Sequence, residues 1–462
     1  MKKLFLYTFA GLTIFTASCS KFTEVTPKNM VLPQTVADYE KFLNDLLLAD
    51  APFGYNELKN DDIAYTDASV VGLGDQRTAK SYLWLDEEFK AAEDDAEWNK
   101  SYANIYVCNL VLDRLPQASD AATNGDLKRL LAEAKIQRAY YYFQLAMLFG
   151  NDYQPATAAT DLAVPLLLKP DLEAMLPRAT VKEVYTQVLK DLAEAIAETT
   201  LPDFGRNFVH PGKAAGYALL ARVQFYMGDF EAAAKNANTA LTFRNTLLDF
   251  NKMSFANPAK PWGGVTGKPS VDQWPENIFT KTNSQNGIIQ RFMISQDLLN
   301  ILGEKDLRYV YTFTRLTSTG AASANPLPDY FGNMLNSSIT VPEMMLINAE
   351  YLARNGKASE AMDVLNAIRK NRFKPADYTA LTASTKEEAL LNVLQERRRE
   401  LMFHGLRWFD LKRLNRETAF RKDLKRTYKG NDYTLVALSN KYLFQICPKI
   451  IQINGNIAPN PR

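Results

Sequence analysis

The stretch "ALLARVQFYMGDFEAAAKNANTAL" (218–241) limits the fold more than any other feature, because it reads as two helices turning back on each other at Gly228-Asp229. Small residues stand where two antiparallel helices would cross: Ala218, Ala221, Ala233 and Ala240. "INAEYLARNGKASEAMDVLNAIR" (347–369) repeats the scheme with Ala349, Ala353, Gly356, Ala361 and Ala367. Aligned, the two give the helix, tight turn, helix pattern of tetratricopeptide repeats. They are not contiguous, so the pattern predicts a helical-pair scaffold carrying insertions rather than a free solenoid.

The rest of the chain fits that scaffold. "TVADYEKFLNDLLLAD", "WNKSYANIYVCNLVLDRLP" and "KRLLAEAKIQRAYYYFQLAMLFG" running into "ATVKEVYTQVLKDLAEAIAET" all have apolar residues at helical spacing. Residues 54–86 break the periodicity and read as an ordered excursion. The largest interruption, about 245–340, holds much of the Gly and Pro together with aromatic residues at no helical spacing. Long irregular segments inside compact domains are commonly functional. The expected fold is mainly α: tetratricopeptide-like helix pairs, a loop-rich insertion and few short strands. It divides into an N-terminal helical region (19–244), the insertion (245–340) and a C-terminal helical region (341–462).

Residues 1–18 stand apart from the fold. Lys2 and Lys3 precede an apolar stretch, Leu4 to Ala17, that is short against the roughly 20 residues of a membrane-spanning helix and reads as a secretory segment. Ser18-Cys19 at its end resembles a bacterial lipoprotein signal, with Cys19 the acylated first residue of the mature chain. Thr16 departs from the leucine usual there, and the alternative is an ordinary cleaved signal. Apart from Cys19 the chain has two cysteines, Cys108 and Cys447, each in an apolar run, which predicts buried packing thiols and no disulfide framework.

A basic run, "RRRELMFHGLRWFDLKRL" (397–414), is the one candidate for a phosphate-binding surface. The formal charge of the chain is +2, and Lys2 and Lys3 account for it, so the general positive field of a nucleic-acid-binding protein is missing. Helical spacing offers the arginines local partners: Glu396 with Arg399, Arg397 with Glu400, Arg407 with Asp410, and Asp410 with Arg413. The run is expected to be an intramolecular ion-pair network, with no nucleic acid as partner.

The residues around it resemble a known family. "QERRRELMFHGLRWFDLKRL" is similar to the C-terminal signature of the SusD/RagB family of outer-membrane lipoproteins, matching at Glu396, Arg397, Glu400, Leu401, Phe403, Gly405, Arg407, Trp408, Asp410, Leu411 and Arg413 (signature 396–413). His404 stands where that family usually has Glu. "AEAKIQRAYYYFQLAMLFG", "TVKEVYTQVLKDLAEAI", "AAGYALLARVQFYMGDFEAA" and "MMLINAEYLARNGKASEAMDVLNAIR" resemble further segments of the family in order. The resemblance implies a cell-surface binding protein, held on the outer membrane by a lipid anchor, that captures a glycan or peptide and delivers it to a TonB-dependent, SusC-like transporter. It implies no catalysis and no cofactor.

For sugar capture, aromatic rings stack on the apolar face of a pyranose. Trp98 and Trp408 belong to periodic segments and are expected in the core. Trp262 and Trp274, in the insertion, are candidates for a ligand platform or for loop packing; Trp84, Tyr311 and Tyr330 are weaker candidates. Asp61 and Asp62 stand where polar ligand contacts would come from the excursion. Against an enzyme, His210 and His404 are the only histidines, which leaves little for a triad or a histidine metal site, and no metal is expected. The acidic run 86–98 supplies carboxylates for a glycoside hydrolase but reads more simply as a solvated face. A third possibility is an interaction scaffold with no small ligand; convergence of 54–86 and 245–340 on one aromatic pocket would argue against it.

Overall fold

A computed structural model describes residues 33–52, 54–74, 76–261, 264–283, 293–316, 322–328 and 335–462. Cys19, Trp262 and Tyr330 lie outside the described residues.

The long helices are α1 (Val36–Leu43), α2 (Ala96–Arg114), α3 (Leu127–Phe149), α4 (Val181–Ala197), α5 (Lys213–Tyr226), α6 (Phe230–Phe243), α7 (Val341–Arg354), α8 (Ala358–Arg369), α9 (Lys386–Glu400) and α10 (Arg407–Leu414). Their starts are written in the sequence. Thr35 with Asp38 and Thr180 with Glu183 form reciprocal capping boxes for α1 and α4, and Thr340 caps α7. The turns inside the two repeat pairs place Gly228 at φ +83° and Gly356 at φ +75°, where a side chain would be strained.

From α2 to α9 each long helix packs on the next, and α6 packs directly on α7 although the insertion separates them in sequence. The small residues serve this stacking: Ala218, Ala221, Ala233, Ala240, Ala349, Ala353 and Ala361 are fully buried. At Gly216 a Cβ would come within 2.8 Å of Ile196 Cγ1, so α4 and α5 approach as closely as they do only without one. α3 lies in the centre, buried on every face from Gln137 onward, as expected of a helix apolar all round.

Buried guanidinium pairs tie the layers together. Arg138 grips Asp191 between α3 and α4 at 2.8 and 2.7 Å, and Arg222 grips Glu343 between α5 and α7 at 2.7 and 2.5 Å. Removing one partner of such a pair leaves an uncompensated buried charge.

The strands are short and sit mostly in the insertion. Residues 277–279 pair with 339–340 and 282–283 with 335–336, which ties the middle of the insertion to its C-terminal end at the foot of α7. Residues 63–64 pair with 293–294, and Ser295 bonds the carbonyls of Asp61 and Asp62, so the early excursion and the insertion meet. The fold is mainly α.

The basic run is buried, but only two of its four expected local pairs form. Glu396 meets Arg399 at 2.8 Å and Asp410 meets Arg413 at 2.8 Å. Arg397 instead reaches Asp410, Arg407 reaches Asp61, and Glu400 is held by Arg372 and Arg308. Neither missing pair spans the break between α9 and α10; the break, with Phe403 at φ +63° and Gly405 at φ +82°, folds the chain back so that Asp410 reaches Arg397, while Asp61, Arg372 and Arg308 from distant segments take Arg407 and Glu400. Trp98 and Trp408 are core residues, and Cys108 and Cys447 are buried free thiols.

Candidate functional site

A cavity of about 450 Å³ opens where the insertion meets the α9–α10 turn. Its apolar walls come from Phe250, Met253, Trp274, Tyr311, Met402 and Phe403, and its polar lining includes Lys268, Glu276, Arg308, Asn336, Glu400 and His404. Two sequence candidates, Trp274 and Tyr311, are brought together here.

The walls are held by polar anchors behind them. Trp274 Nε1 donates to Glu276 Oε2 at 3.0 Å, while Glu276 Oε1 accepts from Arg372 at 2.7 Å and from the Leu248 N–H at 2.8 Å. Phe250 meets the indole edge-on, with ring centroids 6.3 Å apart. The Tyr311 hydroxyl donates to the Met253 carbonyl at 2.6 Å, so its ring rather than its hydroxyl is what the cavity receives. Behind Glu400, Arg308 also bonds Asp306 and Glu396, at 2.6 and 2.7 Å. Burial opposes ionisation of Glu400, and the guanidiniums of Arg372 and Arg308 overcome it, so this carboxyl lies below the usual range. The charged lining is thus largely committed to itself, and the aromatic side chains form much of the remaining wall.

His404 sits in the turn and lines the cavity. Burial pulls its imidazole down to about 4, so it is neutral near pH 7. Burial likewise pulls the Lys268 amine down to about 8.

The other candidates sit elsewhere. Trp84 is 3 % exposed; its Nε1 donates to the Lys59 carbonyl at 2.9 Å and Arg426 covers its ring at 4.2 Å, so it offers no platform. Asp61 and Asp62 are partners of the basic run rather than ligand contacts. Arg407 grips Asp61 at 2.7 and 2.9 Å, Lys422 also bonds it, and Arg398 meets Asp62 at 2.6 Å. Partners more than 330 residues apart carry no local signal. Sequence reading missed Phe250, Met253, Glu276 and Arg308 in the cavity; the aromatic content of the insertion pointed to the region and not to the residues.

A second, polar cavity of about 230 Å³ lies beside the first, lined by Phe204, Asn207, His210, Arg244, Asp272, Asn277 and Thr280, and Trp274 lines both.

A stacked-helix body bearing an aromatic-walled cavity under a long insertion defines a class of helical-repeat binding protein. Comparison gives the family. Residues 21–225 match the SusD-like model described as "Starch-binding associating with outer membrane", and residues 341–462 match the SusD family model. The chain belongs to the SusD/RagB family. It is 24% identical to the SusD-like protein P38 of Formosa agariphila, over 69% of this chain and 72% of that protein. A SusD superfamily protein of Bacteroides thetaiotaomicron superposes with a TM-score of 0.72 at 21% identity, over 93% of this chain and 100% of that one. Surface glycan-binding protein A of Bacteroides uniformis superposes with a TM-score of 0.70 at 18% identity, over 92% and 99%. Among the described residues no helix is long and apolar enough to cross a membrane.

Proposed function

We propose that this protein captures glycans at the cell surface and delivers them to a TonB-dependent, SusC-like outer-membrane transporter, tethered by acyl chains on Cys19. The observation that carries the reading is the cavity of about 450 Å³ lined by the rings of Trp274, Phe250 and Tyr311, with Trp274 and Tyr311 held by hydrogen bonds behind them. Rings fixed in advance stack on sugar C–H faces with little ordering cost. Membership of the family, and the starch-binding and glycan-binding descriptions of matched proteins, support the same reading.

The two carboxylates of the cavity favour binding over hydrolysis. Glu276 and Glu400 both accept from Arg372 Nη2, at 2.7 and 2.5 Å, so these oxygens lie within about 5 Å of each other, near the roughly 5 Å of a retaining glycosidase pair. A guanidinium occupies the space between them that a glycosidic oxygen would need. The test is calorimetry of the detergent-solubilised protein against oligosaccharides and peptides, with turnover assayed in the same samples. Saturable binding of oligosaccharide without turnover is expected; turnover, or binding of peptides alone, would overturn the proposal.

A further inference from the structure

The two cavities that share Trp274 differ in chemistry. In the second, polar one, the loop carrying Phe204 is fixed by a tight approach: a Cβ on Gly205 would fall 1.5 Å from the His210 carbonyl oxygen. Phe204 is 40 % exposed, and the Arg244 guanidinium lies over its ring at 4.9 Å. Arg244 donates one N–H to the Asn277 carbonyl. Among the described residues no carboxylate lies within 4.0 Å of it, unlike the arginines of the basic run. Burial alone acts on its ionisation, pulling it below the ordinary arginine value, so no neighbouring charge offsets its desolvation.

One neighbouring side chain is also a donor. Asn207 Oδ1 accepts from the Val209 N–H at 2.9 Å and the His210 N–H at 3.3 Å, which leaves its Nδ2 amide to give. The His210 ring spends its nitrogens on Glu133 and Asn44, at 2.6 and 2.7 Å. Asp272, exposed on the rim, is the one carboxylate that lines the cavity. A guanidinium held against a ring beside an amide donor is complementary to an oxyanion.

We infer that the recess of Arg244, Phe204 and Asn207 is a subsite for an acidic substituent, a carboxylate or a sulfate ester, on a glycan whose adjoining ring stacks on Trp274. The assignment rests on the glycan-binding reading and narrows it to acidic polysaccharides. Arg244 supplies the charge and a planar donor fork, Phe204 holds its plane, and Trp274 joins the two cavities. Asp272 sets an opposing field that limits affinity.

The test is calorimetry of the detergent-solubilised protein at low salt with matched pairs of probes. Oligogalacturonates are compared with their methyl esters, and sulfated galactan oligosaccharides with their desulfated forms. One acidic member is expected to bind at least tenfold more tightly than its neutral partner, and the pair in which this happens tells carboxylate from sulfate. Arg244→Gln removes that preference, Asp272→Asn increases it severalfold, and 0.5 M NaCl reduces it. If Trp274→Ala weakens binding but acidic and neutral partners bind alike and Arg244→Gln changes nothing, the anion subsite is wrong while the glycan reading stands. If neutral oligosaccharides bind and Trp274→Ala leaves their binding unchanged, the glycan reading of this cavity falls with it. Failure of every acidic probe to bind overturns the subsite.

Discussion

At the residue scale, His404 carries a pH signature. Its value of about 4 lies below the ordinary 6.5 of an unfolded histidine, so the unfolded chain takes up the proton first. The stability that results is complete above pH 6.5 and is lost as the pH falls from there toward 4. Glu57 and Glu97, each raised to about 7 mainly by burial, act with the opposite sign in the same window, so wild type must be compared with a variant. Between pH 7 and pH 5 wild type should lose about 2 kcal/mol more stability than His404→Gln in urea unfolding. Identical pH profiles would show that the imidazole is not desolvated. His404 was legible as a departure from the family signature, but its place on the cavity wall was not, because that depends on an insertion far away in sequence. The same holds for Trp84, whose non-periodic surroundings looked like a loop while Arg426, from a distant hairpin, covers its ring.

At the scale of elements, the repeat pairs were read from the sequence because helix spacing, small crossing residues and turn glycines are local signals. Gly356→Ala should cost about 1 kcal/mol in urea unfolding, since φ +75° strains any side chain, whereas alanine at an exposed helical position of α8 should be nearly neutral. No change at Gly356 would mean that the turn differs from the one described. The basic run shows where local reading stops. Its burial as an ion-pair network followed from charge balance, but i,i+3 spacing gave only half of its expected pairs, because Asp61, Arg308 and Arg372 come from distant segments and Asp410 reaches Arg397 across the turn at 401–405. Asp410 is 5 % exposed and holds Arg397 and Arg413 at once, so Asp410→Ala should destabilise by about 3–5 kcal/mol through the charges it strands. A loss below 1 kcal/mol would show that water reaches the network.

At the scale of the whole molecule, the stacked helices form a body to whose core the insertion adds Ile278, Phe279 and Ile339, and the insertion also walls a cavity against the α9–α10 turn. Most of the cavity lining comes from the insertion and only Glu400, Met402, Phe403 and His404 from the signature, which explains why the family was readable and the ligand was not. The excursion 54–86 meets the insertion through a short strand pair and a shared apolar cluster that joins Leu58, Ile63 and Tyr82 to Ile294, Leu298 and Phe313, but the cavity itself is lined by the insertion and the α9–α10 turn. Cys19→Ala should release the protein from the outer-membrane fraction; unchanged recovery there would refute acylation as the anchor. Glycan binding in the aromatic cavity is tested by titrating the best oligosaccharide of the panel into wild type and Trp274→Ala side by side. Saturable binding to wild type is expected, weakened at least tenfold in a Trp274→Ala protein that still unfolds cooperatively. Equal affinity in the two proteins would contradict it.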